Sequence, residues 1–332
     1  MAEKPILVTG AGGFIGGNLV ADLKAEGHTN IRAVDIKPIA EWYRHFDDVD
    51  NRQLDLRNKS SCFQACDGCW QVYQFAADMG GMGFIENNKA RCMLNVLINA
   101  HMLMAAVDKG VERFLFASSA CIYNVDKQTH NAPAPLKEED AYPAMPEDGY
   151  GWEKLFSERM CRHFREDFGL ATRIVRYHNV YGPFGTWDGG REKAPAAICR
   201  KVIDAKETGH HTIEIWGDGS QTRSFMFIDD CILGTRMIMQ SDIGEPINLG
   251  SEELVAINEL VDIIEEFAGL RLERTYKLDA PKGVNGRNSD NTMIRDRLNW
   301  EPRTRLRIGL KQTFEWVYEQ YLAREAGQAV VM

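Results

Sequence analysis

The chain has 332 residues, enough for a large core and two lobes. Its composition is that of an ordinary globular protein, and its formal net charge of −9 argues against nucleic acid or an anionic membrane as the main partner. No apolar run reaches the length of a spanning helix, and a cytoplasmic location is expected.

Ile6-Leu-Val-Thr9 reads as a short buried strand. The glycines at 10, 13 and 16 follow it with the spacing GxxGxxG, and a helix over 13–26 comes next. Glycine lets the backbone turn tightly and approach a pyrophosphate, and the helix N-terminus supplies N–H groups and positive dipole. Gly10, Gly13, Phe14, Ile15 and Gly16 are therefore candidate cofactor residues. The next strand, 31–35, ends in Asp35, 19 residues after Gly16 and near the place where a carboxylate meets a ribose 2′-hydroxyl. A carboxylate repels a 2′-phosphate, so NAD is expected rather than NADP. Leu54-Asp55-Leu56 reads as a further strand or loop on the adenine side. Cys62, Cys66 and Cys69 contain one C-x-x-C but no second pair, so reduced structural thiols and no metal site are expected.

Strands at 71–75, 113–117 and 172–176 alternate with helices at 58–66, 87–109 and 150–168. This order implies an α/β fold, a Rossmann-type doubly wound parallel sheet. Ala76 and Asp78 end the fourth strand, where such a sheet opens its ligand crevice. Tyr150 and Lys154 stand four apart, so both project from one face of the helix 150–168. An ammonium beside a phenol is expected to lower its pKa and make a base. After about residue 178 the pattern loosens. A Gly-rich loop over 182–190 precedes a helix over 193–205 starting near Pro195, a strand at 213–216, a strand and helix over 226–240, and helices at 256–268 and 308–324. The expected domains are a dinucleotide-binding unit over 1–178, with residues around 226–250 returning to it, a smaller mixed α/β substrate lobe over 179–325, and a tail over 326–332.

The GxxGxxG turn, Ser118-Ser119-Ala-Cys-Ile-Tyr123 and Tyr150-x-x-x-Lys154 together resemble the extended short-chain dehydrogenase/reductase family of nucleotide-sugar enzymes. Longer strings resemble its branch that epimerises GDP-mannose: Ala76-Ala-Asp-Met-Gly-Gly-Met-Gly83, Arg176-Tyr-His-Asn-Val-Tyr-Gly-Pro183, Phe184 through Ala196, Trp216-Gly-Asp-Gly-Ser-Gln-Thr-Arg-Ser224 and Gly286-Arg-Asn-Ser-Asp-Asn291. The likeness runs to about residue 320. Asn124 stands where proline is usual, and the loop from Ala205 to Thr212 is longer.

The resemblance implies tightly bound, recycled NAD and transient oxidation at carbon 4 of the sugar. Tyr150, Lys154 and Ser119 would serve that step, and Cys121 and Lys193 would exchange protons at carbons 3 and 5, or at 5 alone. It gives Gly80, Gly81, Met82, Gly83, Asn179 and Glu192 places around the sugar and Gln221 one near the base. Arg287, then Lys201 and Arg223, are the expected diphosphate cations. Taken alone, Cys121 reads as a buried apolar-like residue and Lys193 as a solvated charge. A homodimer is implied too, through a four-helix bundle built by 87–109 and 150–168, with Met93, Leu97, Met102, Leu103, Phe156 and Met160 among its apolar residues. The nearest rival is a GDP-4-keto-6-deoxymannose epimerase/reductase. It consumes NADPH, against Asp35, and carries histidine in place of Lys193. A plain 4-epimerase needs neither Cys121 nor Lys193, and a non-enzymatic NAD-sensing protein has no need of the Ser119, Tyr150 and Lys154 set.

Overall fold

The computed structural model describes residues 4–331. The strands in chain order are β1 (Ile6–Thr9), β2 (Ile31–Asp35), β3 (Asp50–Gln53), β4 (Gln71–Gln74), β5 (Arg113–Ser119), β6 (Ala171–Tyr177), β7 (Val180–Tyr181), β8 (Thr212–Trp216), β9 (Thr222–Ser224), β10 (Met226–Phe227), β11 (Pro246–Leu249), β12 (Leu254–Ala256), β13 (Glu273–Lys277) and β14 (Gly286–Arg287). The α-helices are α1 (Phe14–Ala25), α2 (Lys59–Cys66), α3 (Met82–Asn87), α4 (Lys89–Met93), α5 (Asn95–Asp108), α6 (Tyr150–Phe168), α7 (Ala194–Thr208), α8 (Ile228–Gln240), α9 (Ile257–Ala268), α10 (Thr292–Leu298) and α11 (Leu306–Glu325).

Seven strands form one parallel sheet in the order β11-β6-β5-β4-β1-β2-β3. Fully buried runs such as Ile6–Thr9 suit strands covered on both faces. The chain winds outward from β1 to β3, then returns to the other side of β1 with β4. That reversal leaves a crevice at the carboxyl ends of β1 and β4. β11 comes from far along the sequence and pairs with β6. The remaining strands pair in short sheets of two or three, β10-β7, β12-β9-β14 and β13-β8.

Two elements differ from the sequence expectation. Residues 50–53, not 54–56, pair at the sheet edge, because Leu54 and Asp55 turn away after their register with β2 ends at Gln53. The helix expected over 87–109 is interrupted at Asn88, whose φ of −134° is not helical, and α3 is a separate turn before it. The stretch Lys89–Asp108 is also long and apolar enough to pass for a membrane span, which the sequence reading had excluded. Its apolar residues face two ways. Met102 and Leu103 are buried in the core cluster between sheet and helices, whereas Met93, Leu94, Leu97 and Met104 are exposed. The exposed Trp152 and Phe156 come from α6, which packs on α5.

Candidate active site

The nucleotide end is built by the β1–α1 turn. Gly10 takes φ +66°, and a Cβ there would lie 2.9 Å from the Phe75 carbonyl carbon. A Cβ on Gly16 would lie 2.3 Å from the Gly10 carbonyl oxygen. Gly13 precedes Phe14 and Ile15 at the N-terminus of α1 and has no side chain to cap it. The glycines thus let the turn close tightly against the end of β4 and the start of α1, and such a turn at a helix N-terminus fits the pyrophosphate of a dinucleotide. The Gly12 amide donates to one oxygen of Asp35 at 3.0 Å and the Lys37 amide to the other at 3.0 Å. These bonds fix the carboxylate beside the turn. Asp55 is held by Arg57, and the Ala76 amide donates to Thr9 Oγ1 at 3.2 Å.

The reacting side chains converge where β5 ends and α6 begins. Ser119 caps a 3-10 turn over Ala120–Ile122, its Oγ accepting from the Cys121 amide at 3.2 Å. Tyr150 is the first residue of α6 and is buried, with Ser119 near enough to its phenol to affect its titration. Lys154, one turn on, donates to the Ala117 carbonyl at 3.1 Å, and its ammonium lies 5.5 Å from the centre of the Tyr150 ring. The expected lowering of the phenol pKa is not what the protein alone gives. Burial, with Cys121 and Glu153 nearby, pushes the phenol well up, and Ser119 opposes this.

Cys121 is buried beside this pair. Its thiol is pushed up to about 11 by burial first and the Glu147 carboxylate next, with Arg287 acting the other way. Lys193 directly precedes α7, and burial lowers its ammonium. Cys121, Cys231 and Arg287 act on it electrostatically, so Lys193 lies in the same region as Cys121 although about seventy residues separate them in sequence.

Arg287 lies differently from its expected place as first diphosphate cation. Its guanidinium is buried, and all three nitrogens are engaged inside the protein. Nε donates to Gln128 at 2.7 Å, Nη2 to Glu147, and Nη1 lies 3.7 Å from the Cys121 sulfur. The other expected cations are also held, though less deeply. Arg223 reaches the Val284 carbonyl at 2.6 Å and the Lys282 carbonyl at 3.0 Å, and Lys201 the Glu214 carbonyl at 2.8 Å. Burial and Arg287 lower Arg223 to about 10.

The loop after β4 closes one side. A Cβ on Gly80 would lie 2.8 Å from the Phe84 Cβ, one on Gly81 2.5 Å from the Glu192 carbonyl oxygen, and one on Gly83 2.9 Å from the Trp216 ring. Met82 packs on Gly283, so the loop meets the C-terminal lobe directly. Glu192 accepts from the Gly190 amide at 2.7 Å and from Arg200 at 3.2 Å. Asn179 takes φ +40° and donates to the Ser224 carbonyl at 3.1 Å. Gln221 donates to the Trp216 carbonyl at 2.8 Å, and its buried Oε1 has no partner. A cavity of about 550 Å³ opens beside the site, lined by Met82, Glu86, Val125, Glu147, Lys282 and Val284 among others.

Sequence reasoning missed Glu147, Gln128 and Arg191. Glu147 lies only three residues before Tyr150, and that proximity was the one available signal. Gln128 and Arg191 carry none beyond residue type. Cys62 and Cys66 on the buried face of α2 and Cys69 just after it lie in the core, their thiols pushed up by burial.

The sequence profile of the NAD dependent epimerase/dehydratase family matches residues 6–250. GDP-mannose 3,5-epimerase 1 of Oryza sativa subsp. japonica is 47% identical over 326 residues, covering 98% of this chain and 84% of that protein. GDP-mannose 3,5-epimerase of Arabidopsis thaliana is 46% identical over 316 residues, covering 95% and 82%. Among solved structures, MoeE5 in complex with UDP-glucose and NAD superposes with a TM-score of 0.80 at 28% identity, covering 96% of this chain and 99% of that one.

Proposed function

The chain belongs to the NAD dependent epimerase/dehydratase family, and we propose that it epimerises GDP-mannose at carbons 3 and 5, or at 5 alone, giving GDP-L-galactose and/or GDP-L-gulose. The β1–α1 turn and Asp35 would hold NAD, which would supply a reversible hydride acceptor for carbon 4. Tyr150 takes the proton of the 4-hydroxyl, with Ser119 beside the phenol and Lys154 one helical turn away. A ketone at carbon 4 acidifies the hydrogens on carbons 3 and 5. Cys121 and Lys193 then remove and return protons on opposite faces of the ring.

The observation that carries this reading is the burial of Cys121 beside Tyr150, with Lys193 within electrostatic reach of that thiol, since oxidation and re-reduction at carbon 4 alone require neither. Burial lowers the Lys193 ammonium, which brings an amine closer to exchanging protons at neutral pH. Gly80 to Gly83, Asn179 and Glu192 line the sugar, Gln221 faces the base, and Arg223 and Lys201 serve the diphosphate. The rival epimerase/reductase reading is disfavoured by Asp35, whose fixed carboxylate would repel a 2′-phosphate.

The exposed apolar face of Met93, Leu94, Leu97, Trp152 and Phe156 supports a homodimer through a four-helix bundle of the α4–α5 stretch and α6. Eight free, buried cysteines support a reducing, cytoplasmic location. Incubation with GDP-mannose in heavy water, without added cofactor, tests the function. Deuterium at carbon 3 or 5 with new GDP-hexose isomers is expected, and no exchange by protein that retains NAD would reject it.

A further inference from the structure

A base that works repeatedly must give its proton back to solvent. Cys121 is 8% exposed, so its sulfur has little direct access to water. The groups around it differ in what they can accept. Arg287, 3.7 Å away, only donates. The Ser119 hydroxyl accepts from the Cys121 amide and is not a base. Tyr150 and Lys193, which also neighbour the thiol, are committed to the sugar in the reaction proposed above, which leaves Glu147. Its amide donates to the Cys121 carbonyl at 3.0 Å, which fixes the two residues side by side. Its Oε1 accepts from Arg287, while Oε2 is buried with no hydrogen-bond partner. The same residue lines the 550 Å³ cavity with Met82, Val125 and the 281–284 loop. A carboxylate with an unpartnered oxygen therefore adjoins both Cys121 and the cavity.

We propose that Glu147 is the proton exit of Cys121. After the Cys121 thiolate has taken a proton from the sugar, the S–H bond breaks toward the Glu147 carboxylate and sulfur keeps the electron pair. The carboxylic acid so formed releases the proton to water in the cavity. Arg287, in contact with both partners, balances whichever of them carries the negative charge. Burial and the carboxylate together hold the thiol at about 11, so the S–H proton leaves slowly without an acceptor at hand. This inference rests on the epimerisation proposed above.

The test follows GDP-mannose deuterated at carbons 3 and 5, in ordinary water, with the intact enzyme. The quantity read is deuterium lost from recovered GDP-mannose per product molecule formed, at each carbon where Cys121→Ala abolishes that loss. Wild type is expected to lose deuterium freely. Glu147→Gln is expected to return the trapped deuteron to the sugar, lowering the ratio at least tenfold, and Glu147→Asp to restore most of it. An unchanged ratio in Glu147→Gln overturns the proposal, whatever happens to the turnover rate. Should Glu147→Gln make no product, Glu147→Ala with added formate decides. Recovered turnover and deuterium loss support the relay, and failure of formate to rescue folded, NAD-retaining Glu147→Ala overturns it. A wild type that forms no product and loses no deuterium defeats the epimerase reading instead.

Discussion

Arg191 reaches across the crevice and donates to Asp78 at 2.8 Å, tying the loop before α7 to the loop after β4. It also donates to the Met79 carbonyl at 3.0 Å and stacks its guanidinium 3.9 Å from the centre of the Phe84 ring. The Gly81 amide completes the clasp by donating to the Arg191 carbonyl at 3.0 Å. Two residues further on is Lys193, so the clasp sets how Lys193 meets the sugar. Arg191→Ala is expected to lower kcat/KM by roughly ten- to a hundredfold, as misplacement of a reacting group does. Bound NAD should be unchanged, because the β1–α1 turn is untouched. Steady-state kinetics with cofactor quantitation checks this, and normal kcat/KM would show that the clasp does not position Lys193.

Cys121 and Lys193 should separate proton transfer from oxidation. Cys121→Ala and Lys193→Met are each expected to slow product formation by about 10²- to 10⁴-fold, the range for losing a general acid or base. Both should still oxidise carbon 4, seen as reduced-nicotinamide absorbance when GDP-mannose is added. Tyr150→Phe should lose that absorbance change too. Equal loss of absorbance in all three would place Cys121 and Lys193 in binding rather than in proton transfer.

These side chains were legible in the sequence to different depths. Tyr150 and Lys154 declared themselves by helical spacing, and the glycine turn by its place between a strand and a helix. The parallel sheet followed from the buried runs of β1, β4 and β5, each with a helix after it, whereas the partly exposed edge strand β3 left too weak a pattern to place. The groups that hold Arg287, Gln128 and Glu147, were not legible because they lie about 140 to 160 residues from it in sequence. The break at Asn88 was hidden because neither Gly nor Pro marks it in Glu86-Asn-Asn-Lys-Ala-Arg91. Glu147 needed the fold, which alone brings it against Cys121 and a cavity.

Behind the site, Arg176 and Glu158 form a buried bidentate pair at 2.9 and 2.7 Å. Ser118 adds a third bond to the same carboxylate at 2.5 Å. Glu158→Ala would strand a guanidinium in the interior, a loss on the order of 3–5 kcal/mol. The pair locks β5 and β6 to α6, the helix carrying Tyr150. Urea unfolding should show a much lower midpoint with an unchanged slope. A loss below about 1 kcal/mol, the level of an exposed ion pair, would contradict the burial argument.

The exposed apolar face predicts that charge will disrupt association. Leu97 and Phe156 are 42% and 55% exposed. In the proposed dimer, Leu97→Glu with Phe156→Glu would bury like charges across a two-fold axis, so the double variant should run as a monomer in light scattering and the wild type as a dimer. A dimer that survives both changes would place the interface elsewhere.

His178 should make the protein sensitive to mild acid. Its Nε2 donates to Asn248 Oδ1 at 3.0 Å, and the amide's orientation is fixed by its own donations to the Leu136 and Asp290 carbonyls. Nδ1 is buried without a partner, so protonation would place an unpaired charge in the interior near Arg287 and Arg176. Burial lowers the ring to about 3, with Asn248 opposing and the two arginines adding. The unfolded chain has the ordinary value of about 6.5. Between these values the unfolded state binds the extra proton, so stability rises with pH and is lost as pH falls below about 6.5. The full contribution is present above 6.5, and the loss continues down to about 3, at up to about 1.4 kcal/mol per pH unit. Carboxylates add to the acid loss in every variant, so the comparison with His178→Gln isolates this residue. Glutamine keeps a donor for Asn248 and cannot titrate. Its stability at pH 7 should be lower, but its decline between pH 6 and 4 should be shallower by about one proton. Parallel declines in urea-unfolding series at pH 7, 6, 5 and 4 would mean that His178 is not the group that gains the proton on unfolding.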